Sequence, residues 1–371
     1  MKLVAFVSAV LLLLTISSSS STRAKTSAQT LRDAAEVRGV HIGTAVASRL
    51  LSEPEYAQIL GAEFSQLEPE NEMKFGLIHP RPDNDPQPYN FKGADALVAF
   101  AATHQMLVRG HTLVWHRQVP AWLTARAQPP NQLAPTELAE ILHKHIQTVV
   151  SHYTGKVYAW DVVNEAFNDD GTMRETIWYD LPGIGHAGQA TKYIEQALLW
   201  AHSADRHTRL FYNDYDAELV NPKSDAIYAM ASDFKKRGVP LNGIGFQVHV
   251  DLAFDNPATL ASFRKNLKRF AALGLEIQFT EIDVRLKDSS PASLQAQAHL
   301  YSEITKACLE LSACKAIQTW GFTDKHSWIP GFYPGMGWAL LWDADYKKKP
   351  SYAAVMNALS AARPRTAKKL P

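Results

Sequence analysis

The sequence predicts a closed (β/α)8 barrel, an α/β fold that carries its functional residues at the carboxyl ends of eight parallel strands. Three observations predict it. Strand-like and helix-like segments alternate from about residue 40 almost to the C-terminus. The short apolar strands show no in/out alternation, as expected of a sheet buried on both faces. No Pro/Ser/Gly-rich linker divides the chain, so residues 25–371 are expected to form one barrel with enlarged loops. Of the 371 residues, 46% are hydrophobic and 20% charged, which leaves enough apolar material for one large core.

The first strand is expected at 40–46, followed by a helix from Pro54 and a second strand at 63–67. An Ala-rich helical stretch at 93–105 leads to the third strand, 106–115. Leu138, Ile141, Leu142, His145, Ile146 and Val149 recur at helical spacing and predict a helix over 136–151, with the fourth strand at 156–163. Helix 189–205 precedes strand five at 209–212, and helix 223–236 precedes strand six at 243–250. Helix 258–273 leads to strand seven at 276–282, helix 294–311 to strand eight at 316–322, and 350–361 supplies the last helix. A doubly wound open sheet would need a Gly-rich phosphate turn after the first strand, where the chain has only His41-Ile42-Gly43-Thr44.

A formal net charge of +1 gives no electrostatic reason to expect nucleic acid or an anionic membrane as partner. Lys2 precedes an apolar stretch, Leu3 to Ile16, and a polar run, Ser17 to Ser21; Thr22 and Ala24 then have the spacing of a signal-peptidase site. The apolar stretch is shorter than the roughly 20 residues of a membrane span. Residues 1–24 therefore read as a signal peptide rather than an anchor, and the mature protein as secreted, starting near Lys25. The two cysteines, Cys308 and Cys314, read in an exported protein as one disulfide joining a helix end to the next strand. Two free buried thiols are the alternative. A zinc site wants about four ligands, and no His lies nearby.

Two glutamates end two of the apolar runs: Glu165 closes 157–165 and Glu281 follows 276–280. A carboxylate is costly against an apolar core unless something pairs with it or uses it. Polar and aromatic residues crowd the other strand ends: Glu70, Asn71 and Lys74 after strand two, Trp115 to Gln118 after strand three, and Asn164 beside Glu165. Asn213 and Asp214 follow strand five, Gln247 and His249 lie on strand six, Asp283 is beside Glu281, and Trp320, Asp324 and Trp328 follow strand eight. Paired carboxylates suit an oxocarbenium-like transition state, one as proton donor and the other ionised below the reacting carbon. Glu165, near Trp160 and Phe167, has apolar neighbours that raise a carboxyl's pKa. His249 and Asp283 are placed to hold Glu281 in a hydrogen-bonded chain. Asn164 suits a sugar 2-hydroxyl.

The runs WDVVNEAF (160–167), QFTEIDVR (278–285), ENEMKF (70–75), HTLVWHRQ (111–118) and GFQVH (245–249) resemble glycoside hydrolase family 10, whose members are mainly secreted endo-β-1,4-xylanases. The resemblance runs in order from about residue 35 to about residue 360. It implies a retaining double displacement on xylan and xylo-oligosaccharides, with Glu165 as acid/base and Glu281 as nucleophile, in a monomer needing no metal or cofactor. It further implies that Glu70, Asn71, Lys74, His116, Asn164 and Gln247 bind sugars on the non-reducing side. His249 would contact the nucleophile, and Trp122, Trp320 and Trp328 would wall the site. The Cys308/Cys314 spacing resembles a disulfide common in the family. Phe75 stands where that family usually has Trp, and Trp338 and Trp342 enrich a loop that is usually less aromatic; both departures bear on sugar preference.

Trp160, inside an apolar strand, reads as packing, and His111 as a residue satisfying a buried hydrogen bond. His143 and His145 form His-x-His on a helix, where they point to different faces and cannot chelate one ion. A metal-dependent barrel hydrolase would start its ligand set at strand one, which offers only His41. A non-catalytic sugar-binding barrel predicts loss of a carboxylate, and both are present. A glucanase of the same layout remains the alternative within the enzyme reading.

Overall fold

The computed structural model describes residues 30–361, so the expected signal peptide lies outside the described residues. The alternation closes on itself. Strands β1 (His41–Val46), β2 (Gln66–Pro69), β3 (Leu107–Val114), β4 (Ala159–Asn164), β5 (Arg209–Asp214) and β6 (Gly243–Phe246) lie side by side in chain order. Past a two-residue break, β7 (His249–Asp251) continues the line of β6 and pairs only with β8 (Glu276–Arg285). β6 also pairs with β8, β8 with β9 (Cys314–Thr319), and β9 returns to β1. Every pairing is parallel, and the result is the expected eight-stave barrel with helices between staves.

The helix starts follow local chemistry. Pro stands in the first turn of the helices Pro54–Glu63, Pro135–His152, Pro222–Arg237, Pro257–Ala272 and Pro291–Leu309, where its missing N–H costs nothing. Asn221, Asn256 and Ser290 cap the last three through their side chains. Gly238 ends Pro222–Arg237 at φ +73°, a conformation that suits glycine.

The expected boundaries shift at β2, which starts at Gln66 and not at residue 63. Glu63 belongs to the preceding helix, where its buried carboxylate accepts the Leu31 N–H at 2.9 Å and the Tyr352 hydroxyl at 3.0 Å. That contact ties in a helix the sequence pattern does not reveal, Leu31–Val37. Arg38 then reaches across to the carbonyls of Leu359 and Ser360 at 2.5 and 2.7 Å, joining the start of the barrel to the helix Pro350–Ala361.

Inside the ring polar side chains bond to one another. Gln66 donates to Gln318 at 2.6 Å, Tyr158 to Gln278 at 3.2 Å, and Gln318 to Glu68 at 2.7 Å. A Cβ at Gly43 would stand 2.6 Å from the Gln318 amide oxygen, so a larger residue there would displace that amide. Cys308, near the end of its helix, is disulfide-bonded to Cys314 at the start of β9. Among the described residues, no helix is long and apolar enough to cross a membrane.

Candidate active site

Glu165 and Glu281 share one cleft of about 470 Å³ over the carboxyl ends of the strands, with Glu70, Asn71, Lys74, His116, Asn164, Gln247, His249, Trp320 and Trp328 in its walls. Asp283 stands behind His249. Trp122 is set apart: its indole N–H donates to the His79 carbonyl at 3.3 Å, and its ring packs 5.3 Å from the His79 ring, which draws it away from the cleft wall.

Glu281 lies on β8 and is almost fully buried. Asn213, at the end of β5, donates to its Oε1 at 2.7 Å, and His249 Nε2 stands 3.2 Å from its Oε2. The other ring nitrogen of His249 faces Asp283 at 2.8 Å, and Trp328 donates to the same Asp283 oxygen at 2.9 Å. Burial would lower the imidazole's pKa, but the charge of Asp283 and its hydrogen bonds to Asp283 and Glu281 overcome this and raise it to about 10. His249 is therefore an imidazolium at neutral pH. For Glu281 burial works upward, yet the His249 hydrogen bond and the charges of His111 and His249 bring its pKa below the ordinary carboxyl value. The geometry keeps this carboxylate ionised.

Glu165 lies one residue past β4 with φ +56°, a left-handed conformation that is uncommon outside glycine. Its N–H donates to the Asn213 carbonyl at 3.0 Å, and Arg174 Nε donates to its carbonyl at 3.1 Å. The side chain accepts from Trp115 Nε1 at 2.8 Å and from Gln247 Nε2 at 3.0 Å. His116 stands 3.9 Å away, and burial, opposed in part by Glu165, lowers its pKa to about 4, so this imidazole is neutral. Amides link the two acids. Asn213 donates to Asn164 Oδ1 at 2.9 Å as well as to Glu281, and Gln247 donates to that Oδ1 at 3.3 Å as well as to Glu165.

On the other wall, Lys74 donates to Asn71 at 3.3 Å and stands over the rings of Trp115 and Trp320, at 4.8 and 5.3 Å. Burial lowers the pKa of Lys74, and burial raises that of Glu70. At the cleft floor, with Glu68 beneath them, His111 and Glu281 bring their polar atoms and those of Glu68 within 4.8 Å of one another. Arg109 serves there as cation, 3.2 Å from Glu68 and bonded to Asp161.

Sequence reasoning placed Trp115 and Asn213 among the polar residues at the ends of strands three and five but gave neither a role; several cleft residues it missed. His111 lines the cleft as well as bonding to Asp161 at 3.0 Å. Arg285 closes β8 inside the run 278–285 and Tyr215 follows β5 directly, whereas Arg174, Phe332 and Tyr333 come from the segments after strands four and eight, with no pattern to mark them. The three residues of the two departures noted in the sequence stay out of the cleft wall. Phe75 is buried and stacked on His145 at 3.7 Å, Trp342 is buried against Phe64 and Tyr352, and Trp338 is 41% exposed elsewhere. His143 stacks on Trp200, so it and His145 diverge as expected.

A closed parallel barrel with two carboxylates, amides and indoles gathered over its strand ends defines a barrel glycosidase. The chain belongs to glycosyl hydrolase family 10, which residues 30–358 match. It is 46% identical over 330 residues to endo-1,4-beta-xylanase B of Thermotoga neapolitana, covering 88% of this chain and 90% of that one. The crystal structure of native xylanase 10B from Thermotoga maritima superposes with a TM-score of 0.82 at 46% identity, over 89% of this chain and 98% of that chain. Xylanase 10B from Thermotoga petrophila, solved in complex with xylobiose, gives the same TM-score and identity, over 89% and 97%.

Proposed function

We propose that the protein is a secreted, retaining endo-1,4-β-xylanase acting on xylan and xylo-oligosaccharides, with residues 1–24 as its signal peptide and residues 25–371 as one monomeric catalytic domain. Glu165 is the acid/base and Glu281 the nucleophile. The observation that carries this reading is the contrast between the two acids in one cleft: an imidazolium and an amide hold Glu281 ionised, while Glu165 is held by neutral donors beside a neutral imidazole. An ionised carboxylate below C1 attacks; a donor above the leaving oxygen protonates it and then serves as base towards water. Glu70, Asn71, Lys74, His116, Asn164 and Gln247 bind the sugars, Asn164 meeting the 2-hydroxyl, while Trp320 and Trp328 close over the reacting ring. Xylose lacks the hydroxymethyl group of glucose, so a closed wall excludes glucan by overlap. The chemistry uses no metal or cofactor.

Internal cleavage is supported by a second cavity of about 450 Å³ that shares Asp216, His249 and Arg285 with the cleft and extends it along the rim. Product analysis on linear xylan beside a soluble cellulose derivative tests the proposal. Early release of mixed xylo-oligosaccharides as β-anomers is expected, with little action on cellulose. Release of the α-anomer would overturn retention, and equal kcat/KM on xylo- and cello-oligosaccharides would overturn the xylanase assignment.

A further inference from the structure

We infer that Glu218 is a positioning residue for both carboxylates, holding the left-handed turn at Val248 that aims Gln247 at Glu165 and His249 at Glu281. The inference rests on the roles just proposed. Val248 has φ +63°, where a β-branched side chain is unfavourable because Cβ crowds the backbone. The turn falls in the break between β6 and β7, so the sheet ladder does not take the Val248 N–H. Glu218 does: its Oε1 accepts that N–H at 2.8 Å, with Val248 fully buried and Glu218 4% exposed.

Glu218 is itself anchored. Asn266, on the helix Pro257–Ala272, donates to the carbonyls of Ala217 and Glu218 at 2.7 and 2.9 Å, and Arg269 braces Asn266 at 2.7 Å. The residues on either side of the turn are both working parts. Gln247 spans the barrel wall, its N–H on the Asp214 carbonyl at 3.1 Å and its carbonyl accepting from the Glu281 N–H at 3.1 Å, while its amide reaches Glu165. His249 follows the turn directly and bonds Glu281 and Asp283. A rotation at Val248 would therefore misplace the partners of both acids together. Burial, reinforced by Asp216, raises the Glu218 carboxyl to about 7, and either protonation state offers an oxygen to the N–H. The role needs an acceptor and not a charge.

Four variants test this: Glu218→Gln, which keeps an acceptor; Glu218→Met, which fills the space without one; Val248→Gly, which removes the strain; and the Glu218→Met/Val248→Gly pair. Steady-state kinetics are read on whichever of an activated aryl β-xylobioside and β-cellobioside the unaltered chain cleaves, with folding checked by near-UV circular dichroism. A failure of the proposed sugar preference then shows in the unaltered chain, and a failure of the Glu218 role shows only in the ratios. Glu218→Met should lose about 10–100-fold in kcat with KM changed less than about threefold, because small misplacements of reacting groups carry penalties of that order. Glu218→Gln should stay within about threefold of the unaltered chain, and the double variant should recover most of the lost kcat, since glycine adopts the turn unaided. If Glu218→Met does not fold, the same comparison runs in Glu218→Ala. A folded Glu218→Met with unchanged kcat, or one whose loss Val248→Gly leaves unrepaired, would overturn the inference.

Discussion

Glu165 and Glu281 bring the same functional group into one cleft, and their neighbours make them different acids. Under the proposed roles, Glu281→Ala should show no turnover even on aryl glycosides with activated leaving groups, because no covalent intermediate can form. Glu165→Ala should lose about 10²–10⁴-fold on xylan yet retain a burst of phenol from the activated substrate, which needs little proton donation. Similar behaviour of the two variants in a pre-steady-state assay would reverse or remove the assignment. The pH dependence follows from the His249 contact. Glu281 has a depressed pKa, so activity that requires its ionised form is present above that pKa and is lost as pH falls through it. His249→Asn removes a cation and a donor, and the acid limb of kcat/KM should move to higher pH. An unmoved limb would mean that the imidazolium does not hold the nucleophile. At this scale the sequence was a good guide to which residues meet: Glu165, Glu281, Asn164, Gln247, Trp320 and Trp328 line one cleft and Asp283 stands directly behind it, while Trp122 and Asp324 lie away from it. It was a poor guide to their partners. Nothing in the run Trp115–Gln118 says that the Trp115 N–H turns to Glu165, because that depends on rotamers fixed by packing across several strands.

The staves and helices were legible wherever apolar periodicity and Pro starts coincide, as in Pro135–His152 and Pro222–Arg237. They were misread where tertiary contact overrides local preference. The break between β6 and β7 lies in a run whose apolar residues suggest one unbroken strand, and Glu63 stays helical because Leu31 and Tyr352 use its carboxylate. Leu31–Val37 is too short for its periodicity to register. One element-level consequence concerns the disulfide, which joins the helix Pro291–Leu309 to β9 across a separation of 6 residues. So short a loop restrains the unfolded chain modestly, by about 2 kcal/mol. Replacing both cysteines by serine should lower the unfolding free energy by about that amount in urea titrations and leave kcat unchanged, since the bond lies at the amino end of β9, opposite the cleft. A loss of kcat in the folded double variant would tie the bond to the site.

For the whole molecule, two buried histidines stacked on Phe75, His79 at 5.2 Å and His145 at 3.7 Å, make folding sensitive to acid. His145 is fully buried, and burial, with His79 beside it, lowers its pKa well below 6.5; burial likewise lowers His79 to about 4. Both stay neutral in the fold and would take up protons on unfolding, so their effect is to reduce stability as pH falls below 6.5. Buried acids such as Asp214, raised to about 7 by burial, act in the opposite sense, so the contribution must be read as a difference. Relative to the unaltered chain, His145→Leu should gain up to about 1.4 kcal/mol per pH unit on acidification below 6.5. Parallel stability curves for the two proteins from pH 7.5 to 4.5 would show that His145 is not held neutral.

Arg38 and Leu359 meet at the amino ends of the strands, and the cleft opens at the carboxyl ends. The described chain therefore enters and leaves by the face opposite its mouth. Fixed to a bead, a cell wall or another module by either of these ends, the barrel would stand with its cleft pointing away from the support. A polymer too large to diffuse could then be grazed from the outside without the anchor in its path.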